Sequence, residues 1–166
     1  KIWRLEEIYK TTIHELIHLM NLDGFGNESI INYYKNKYKC TSTNILINES
    51  ITDFWAILIN VFLTNKILNR NYNFYLLMLN SENIFVQYQA KKILNLNKNY
   101  NKYTNVLSYY IIKAELFQNL PKTLKSMDIQ INNYKNLYEI VKKYPPIQPS
   151  ESIPDKTLRM SIIELN

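Results

Sequence analysis

The 166-residue chain is predicted to be mainly α-helical, on three observations. Apolar residues recur at three- and four-residue steps through most of its length, which is the period of one helix face. Its only two glycines, Gly24 and Gly26, directly follow the first such segment, where left-handed backbone is easiest to reach. Four of its five prolines fall within residues 145–154, a tract that cannot form a regular helix. With 46% hydrophobic and 13% aromatic residues, there is apolar material for one compact domain over residues 1–144. Residues 145–166 read as a proline-rich connector and a short terminal segment.

Residues 3–20 place Leu5, Ile8, Ile13, Leu16, Ile17 and Met20 on one face of an amphipathic helix that should stop near Asn21. Residues 27–41, rich in tyrosine, suit a short helix, although Tyr33, Tyr34 and Tyr38 also fit a strand. Ser42, Thr43 or Asn48 can cap the next helix, which continues to about Asn69. It is apolar on most sides over residues 54–63, so it is expected at the centre of the core. Further helices are expected over 74–79, over 82–96 behind a Ser81 cap, over 105–119 behind Thr104, and over 133–144, with Pro121 opening a new turn. No fixed period repeats, which argues against a solenoid.

Charge and composition narrow the function classes. The formal charge is +6, yet the lysines are scattered among asparagines and form no dense basic block. Dispersed, solvated lysines are the better explanation, and nucleic-acid binding is not expected. Cys40 is alone, so neither an internal disulfide nor a cysteine zinc site can form, and a reducing, cytoplasmic setting is expected. Even the apolar run 54–63 is broken by Asn60 and followed by Asn65 and Lys66, so no membrane span is expected. No signal peptide is visible, and a chain opening on Lys1 is expected to be a processed product or part of a longer polypeptide.

The chemistry lies in His14-Glu15-Leu16-Ile17-His18, an H-E-x-x-H pattern within a segment already read as helical. Four helical residues return to within about 40° of the same face after about 6 Å of rise, so both imidazoles can address one ion. Glu15 lies about 100° round, near enough to reach a water on that ion without ligating it. Both histidines of the chain are in this motif.

A zinc ion that keeps one position for water needs a third protein ligand. Glu49 is the best candidate, in Asn48-Glu49-Ser50-Ile51-Thr52-Asp53 at the start of the following helix. Asp53 is four residues on, shares its face, and can accept the other ring proton of a ligand histidine, most naturally His14. Asp23 and Glu28 are the alternative third ligands, without a supporting group at helical spacing. The metzincin extension needs a glycine at position 21 and a histidine or aspartate at 24, but Asn21 and Gly24 stand there and Asp23 falls one place short.

In these residues the chain resembles the thermolysin-like zinc peptidases, the gluzincins, whose first helix carries H-E-x-x-H and whose second carries N-E-x-x-x-D. The matching positions are His14, Glu15, His18, Asn48, Glu49 and Asp53, and the likeness covers residues 14–53. It implies a zincin-like helical domain in which His14, His18 and Glu49 bind Zn2+. Glu15 would be general base and proton shuttle, Asp53 would support a ligand from behind, and a peptide or protein would be the substrate. The rest of the chain resembles, more loosely, metallopeptidase-like proteins of large DNA viruses.

Two departures from the gluzincin pattern matter. No further histidine exists to steady an oxyanion; a tyrosine can take that role in the class, and Tyr109 and Tyr110 are the candidates, with Arg70, Tyr33 and Tyr34 as alternatives. The family also places a sheet before the catalytic helix, whose edge strand binds substrate, and only thirteen residues precede His14. Either that sheet lies upstream in a longer polypeptide, or the cleft is built from helices and the 22–47 loop. The rival function is a catalytically inactive helical binding or assembly module pinned by the same zinc.

Overall fold

A computed structural model of the chain describes residues 7–23, 28–40, 45–96, 106–126 and 135–149. These are mainly helical, with no strand among them. The elements are α1 (Ile8–Leu19), α2 (Glu28–Lys37), α3 (Ile47–Ile67), α4 (Tyr72–Leu96), a π-helical segment (Leu107–Ile112) running directly into α5 (Lys113–Gln118), α6 (Leu120–Ser126) and α7 (Lys135–Val141). No described helix is long and apolar enough to cross a membrane.

The centre of the core is α3, as its apolar circumference predicts. It packs against α1, α4, the π segment and α5. Phe54, Ile57 and Val61 are fully buried along it, and Phe54 meets Phe117 of α5 edge-on at 5.0 Å. Each such side chain contributes roughly 1.5–3 kcal/mol of burial. The helix emerges toward its C-terminal end, where Phe62 is 48% and Leu63 43% exposed, so residues 54–63 are not uniformly buried.

Helix ends follow one device that the glycines do not supply. Asn21, Lys39 and Asn69 adopt positive φ (56°, 50° and 48°) just past α1, α2 and α3. After α1, the N–H of Leu22 reaches the carbonyl of Ile17 at 3.0 Å and that of Asn21 reaches His18 at 2.9 Å, closing the helix with paired bonds. Arg70 to Asn65 (3.1 Å) and Asn69 to Lys66 (3.0 Å) repeat the arrangement after α3. Asparagine tolerates this backbone better than most residues with a side chain. Gly24 and Gly26, expected to end the helix, lie outside the described residues.

Other expected boundaries shift for identifiable reasons. The two helices expected on either side of Ser81 are one continuous α4, and the Ser81 hydroxyl donates to the carbonyl of Leu77 at 2.9 Å instead of capping. Asn48 sits inside α3; the N–H of Leu46, just before that helix, is satisfied by the Ser108 hydroxyl at 3.0 Å. Residues 28–37 are helical, which decides between the helix and strand readings of the tyrosine-rich segment. The Ser42, Thr43 and Thr104 caps and the terminal segment after residue 149 fall outside the described residues. Residues 145–149 carry no helix, as their prolines require.

Candidate metal centre

Lys10, His14 and His18 stand four residues apart on α1 and form one stripe along its inner face. Opposite them, α3 presents Asp53 and Glu49, also four apart, in the reverse order. Lys10 and His14 approach Asp53, while His14 and His18 approach Glu49, so the two helices run past each other in antiparallel sense. The π segment adds a third wall. Ser50 donates its hydroxyl to the Ser108 carbonyl at 2.7 Å, which docks that segment against the first turns of α3. Tyr109 and Lys113, four residues apart, then reach Glu49 and Asp53 respectively. Such wide helical turns recur at functional sites.

Three potential ligand atoms converge. His14 Nε2 and His18 Nε2 are 3.1 Å apart, His14 Nε2 is 3.2 Å from Glu49 Oε2, and His18 Nε2 is 3.4 Å from the same oxygen. Two atoms each about 2.05 Å from a tetrahedrally bound ion stand about 3.3 Å from one another, so this triangle has the dimensions of three corners of such a site. Among the described residues, His14, His18 and Glu49 are a group of histidine and carboxylate side chains close enough to hold a metal ion.

The far nitrogens fix the tautomers. His18 Nδ1 faces Asp23 Oδ2 at 3.0 Å, and His14 Nδ1 faces Asp53 Oδ1 at 3.5 Å. An ionised carboxylate only accepts, so Asp23 holds the proton on His18 Nδ1 by a hydrogen bond and Asp53, from a longer distance, favours it on His14 Nδ1; each neutral ring then turns the lone pair of Nε2 toward the shared point. Three lone pairs converging at this range repel unless a proton or a cation lies among them. Without a metal, a proton serves: burial works against a charged His14, but hydrogen bonding to Asp53 and Glu49 outweighs it and raises the pKa to about 9. Glu49 is lowered to about 2, first by its hydrogen bond from His14, against the cost of burial, and further by Tyr109.

Behind the triangle, Asp53 is fully buried and charged. Lys10 Nζ donates to Oδ1 at 2.6 Å and Lys113 Nζ to Oδ2; both lysines are buried. Burial penalises the carboxylate, but the two ammonium groups and His14 hold its pKa well below the usual range. Burial in turn lowers the Lys113 pKa, with Asp53 opposing that shift. On the open side, the side chains of His18 and Glu49 are 26% and 15% exposed against 10% for His14, so solvent reaches the triangle past His18.

Most residues singled out in the sequence meet here. Glu15 lies next to His14 on α1 and is exposed, and its negative charge bears on the Tyr109 phenol. Tyr109 donates its hydroxyl to Glu49 Oε2 at 2.7 Å, and its ring stacks with His14 at 6.3 Å between centroids. Tyr110 is turned instead against the core, with its ring 5.6 Å from Lys113 Nζ. Arg70 lies beyond the far end of α3, about 30 Å along the helix axis from Glu49. Tyr33 donates to the Val141 carbonyl at 3.1 Å, and Tyr34 is fully buried at α2. Of the alternative third ligands, Asp23 meets His18 on the Nδ1 side, away from the triangle, and Glu28 is exposed at the start of α2.

Sequence reasoning missed Lys10 and Lys113, and it held Asp23 as an alternative third ligand, whereas the Asp23 carboxylate faces His18 Nδ1. The helix-ending turn at Asn21 brings the Asp23 carboxylate back to His18, where Asn48 Nδ2 also reaches it at 3.4 Å. The four-residue spacing of Lys10 before His14 and of Lys113 after Tyr109 was the available signal. Comparison with family models, with curated proteins and with solved structures finds no match for this chain.

Proposed function

We propose that the chain is a zinc-dependent hydrolase of peptide bonds, with His14, His18 and Glu49 holding the ion and Glu15 as general base. The observation that carries this reading is the triangle of two imidazole nitrogens and one carboxylate oxygen with sides of 3.1–3.4 Å. That donor set suits zinc, and backing carboxylates on both Nδ1 atoms are the usual support for imidazole ligands. Zinc bound there would acidify water and polarise a carbonyl oxygen.

The chain's own groups would do the rest. Glu15, exposed beside His14, takes the proton of the attacking water and returns it to the leaving nitrogen. Tyr109 remains a protonated donor at neutral pH, because burial, its bond to Glu49 and the nearby carboxylates all raise its pKa. Its hydroxyl, whose one proton Glu49 Oε2 accepts at 2.7 Å, is the candidate donor to the developing oxyanion once it turns from Glu49 to the substrate. Asp53 and Asp23 hold the two imidazoles in the required tautomer.

The rival reading is an inactive module in which zinc pins helices together, and the helices it would pin are held without it. Asp53, bound by Lys10 and Lys113, already ties α1, α3 and α5 at one buried point. Zinc-loaded chain incubated with a diverse peptide mixture, read by mass spectrometry, separates the two. The hydrolase reading expects cleavage that falls about 10²–10⁴-fold in Glu15→Gln while zinc content is kept. Zinc-loaded wild type that cleaves nothing, or Glu15→Gln that cleaves at the native rate, contradicts it.

A further inference from the structure

The two candidate histidine ligands do not have equivalent support. His18 Nδ1 meets Asp23 Oδ2 at 3.0 Å, a normal hydrogen bond, and the other described donor to that oxygen is the neutral amide of Asn48 at 3.4 Å. His14 Nδ1 stands 3.5 Å from Asp53 Oδ1, at the edge of hydrogen bonding. The same oxygen is taken at 2.6 Å by Lys10 Nζ. Lys113 occupies the other oxygen of Asp53.

We propose that Lys10 is a positioning residue that weakens the His14 side of the metal centre, competing with the imidazole for Asp53 Oδ1 and placing a buried positive charge behind the ion.

Two physical effects point the same way. A carboxylate that accepts an imidazole N–H makes the opposite nitrogen a stronger electron donor. An ammonium group that takes the carboxylate's lone pair withdraws that support. The Lys10 ammonium sits on the same Asp53 oxygen that His14 Nδ1 approaches, so its charge also opposes a divalent cation on the far side of that ring directly. Both effects would loosen a metal held by His14, His18 and Glu49 and would leave it electron-poor, the condition in which a cation polarises a bound oxygen most strongly.

A purely structural lysine would act otherwise. If Lys10 served only to neutralise Asp53 and join α1 to α3, its loss would loosen the helix pair and weaken the metal site. The proposal predicts the opposite sign. Asp53 keeps its Lys113 partner when Lys10 is removed, so the carboxylate is not left buried and unpaired.

The inference rests on the zinc reading, and a single set of competition titrations against a chromophoric chelator tests both separately. Wild type, Lys10→Met, Lys10→Gln and Asp53→Asn are compared with zinc, with far-ultraviolet circular dichroism of each variant recorded alongside. Wild type should bind one zinc, and Lys10→Met should bind it about tenfold more tightly, within the range that groups behind a ligand exert. Lys10→Gln, which keeps a donor and loses the charge, should move the same way. Asp53→Asn should bind more weakly than wild type. Wild type that binds no zinc overturns the metal reading itself. A wild type that binds zinc, with folded Lys10 variants that bind it equally or more weakly, overturns only the role given to Lys10. Should Lys10→Met lose its helical signal, the Lys10→Gln titration decides.

Discussion

Two buried polar clusters in this molecule differ in how they are closed. At one end, Glu115 of α5 is fully buried; it accepts Lys37 Nζ at 2.7 Å and the hydroxyl of Tyr38. Tyr38 accepts the N–H of Ile147 at 3.0 Å, and Lys37 also donates to the Tyr144 carbonyl at 2.8 Å, so α2, α5 and the segment after α7 are tied together. Every contact there joins a donor to an acceptor. At His14, His18 and Glu49 the ring donors, the Nδ1 atoms, point away from the centre, and the atoms that face one another are all acceptors when both rings are neutral and Glu49 is ionised. The first cluster places no two acceptors face to face, although the second Glu115 oxygen is buried without a hydrogen-bond partner among the described residues; the second cluster balances its facing acceptors only on taking up a proton or a cation. Counter-charge separates them as well. Asp53 has two lysines and is held ionised, whereas burial of Glu115 outweighs its lysine and tyrosine partners and raises its pKa.

The contrast can be broken by substitution. Lys37→Met strips the ammonium from Glu115 and should cost about 3 kcal/mol of stability, the scale of breaking a buried pair. That corresponds to a fall in Tm of roughly 6–12 °C for a domain of this size. Zinc content should be unchanged, because no described contact joins that cluster to His14, His18 or Glu49. Thermal melts with metal analysis of the same samples check both halves, and a variant that loses zinc while staying folded would show that the two clusters are not independent.

A smaller effect sharpens the contrast by pH. In metal-free chain, the raised His14 pKa contributes stability that is fully present below about 6.5 and lost as pH rises through about 9. The lowered Glu49 pKa contributes stability present above about 4.5 and lost as pH falls through about 2. The pair therefore favours the metal-free fold most between about pH 4.5 and 6.5, and Tm in excess chelator should decline by a few degrees from pH 6.5 to 9. Glu49→Gln should flatten that decline, and an unchanged slope would detach it from this pair.

Much of the fold was legible because helical period survives in the sequence even where boundaries do not. Four-residue spacing places residues 10, 14 and 18 on one face of α1 and 49 and 53 on one face of α3; that these two faces meet was expected from the resemblance and is a matter of tertiary packing. Ser81 was misread because a serine hydroxyl that caps a helix and one that bonds back to the preceding turn look the same in sequence. The direction of Asp23 was not legible because it depends on the left-handed turn at Asn21, a conformation that asparagine tolerates but that its presence in a sequence does not require. Lys10 and Lys113 were passed over because lysine is almost always solvated; only the burial of Asp53 reveals why two of them go inside. The choice between Tyr109 and Tyr110 depends on how the wide π turn orients each residue, and helical periodicity alone does not carry that.

Metal content of the purified chain, compared with Glu49→Ala after the same exposure to zinc and the same dialysis, tests the central claim most directly. One tightly held zinc per wild-type chain, and its loss from a Glu49→Ala chain that remains helical, is the result expected of a three-ligand site. A wild-type chain that retains no zinc, or a Glu49→Ala chain that retains as much as wild type, would contradict it.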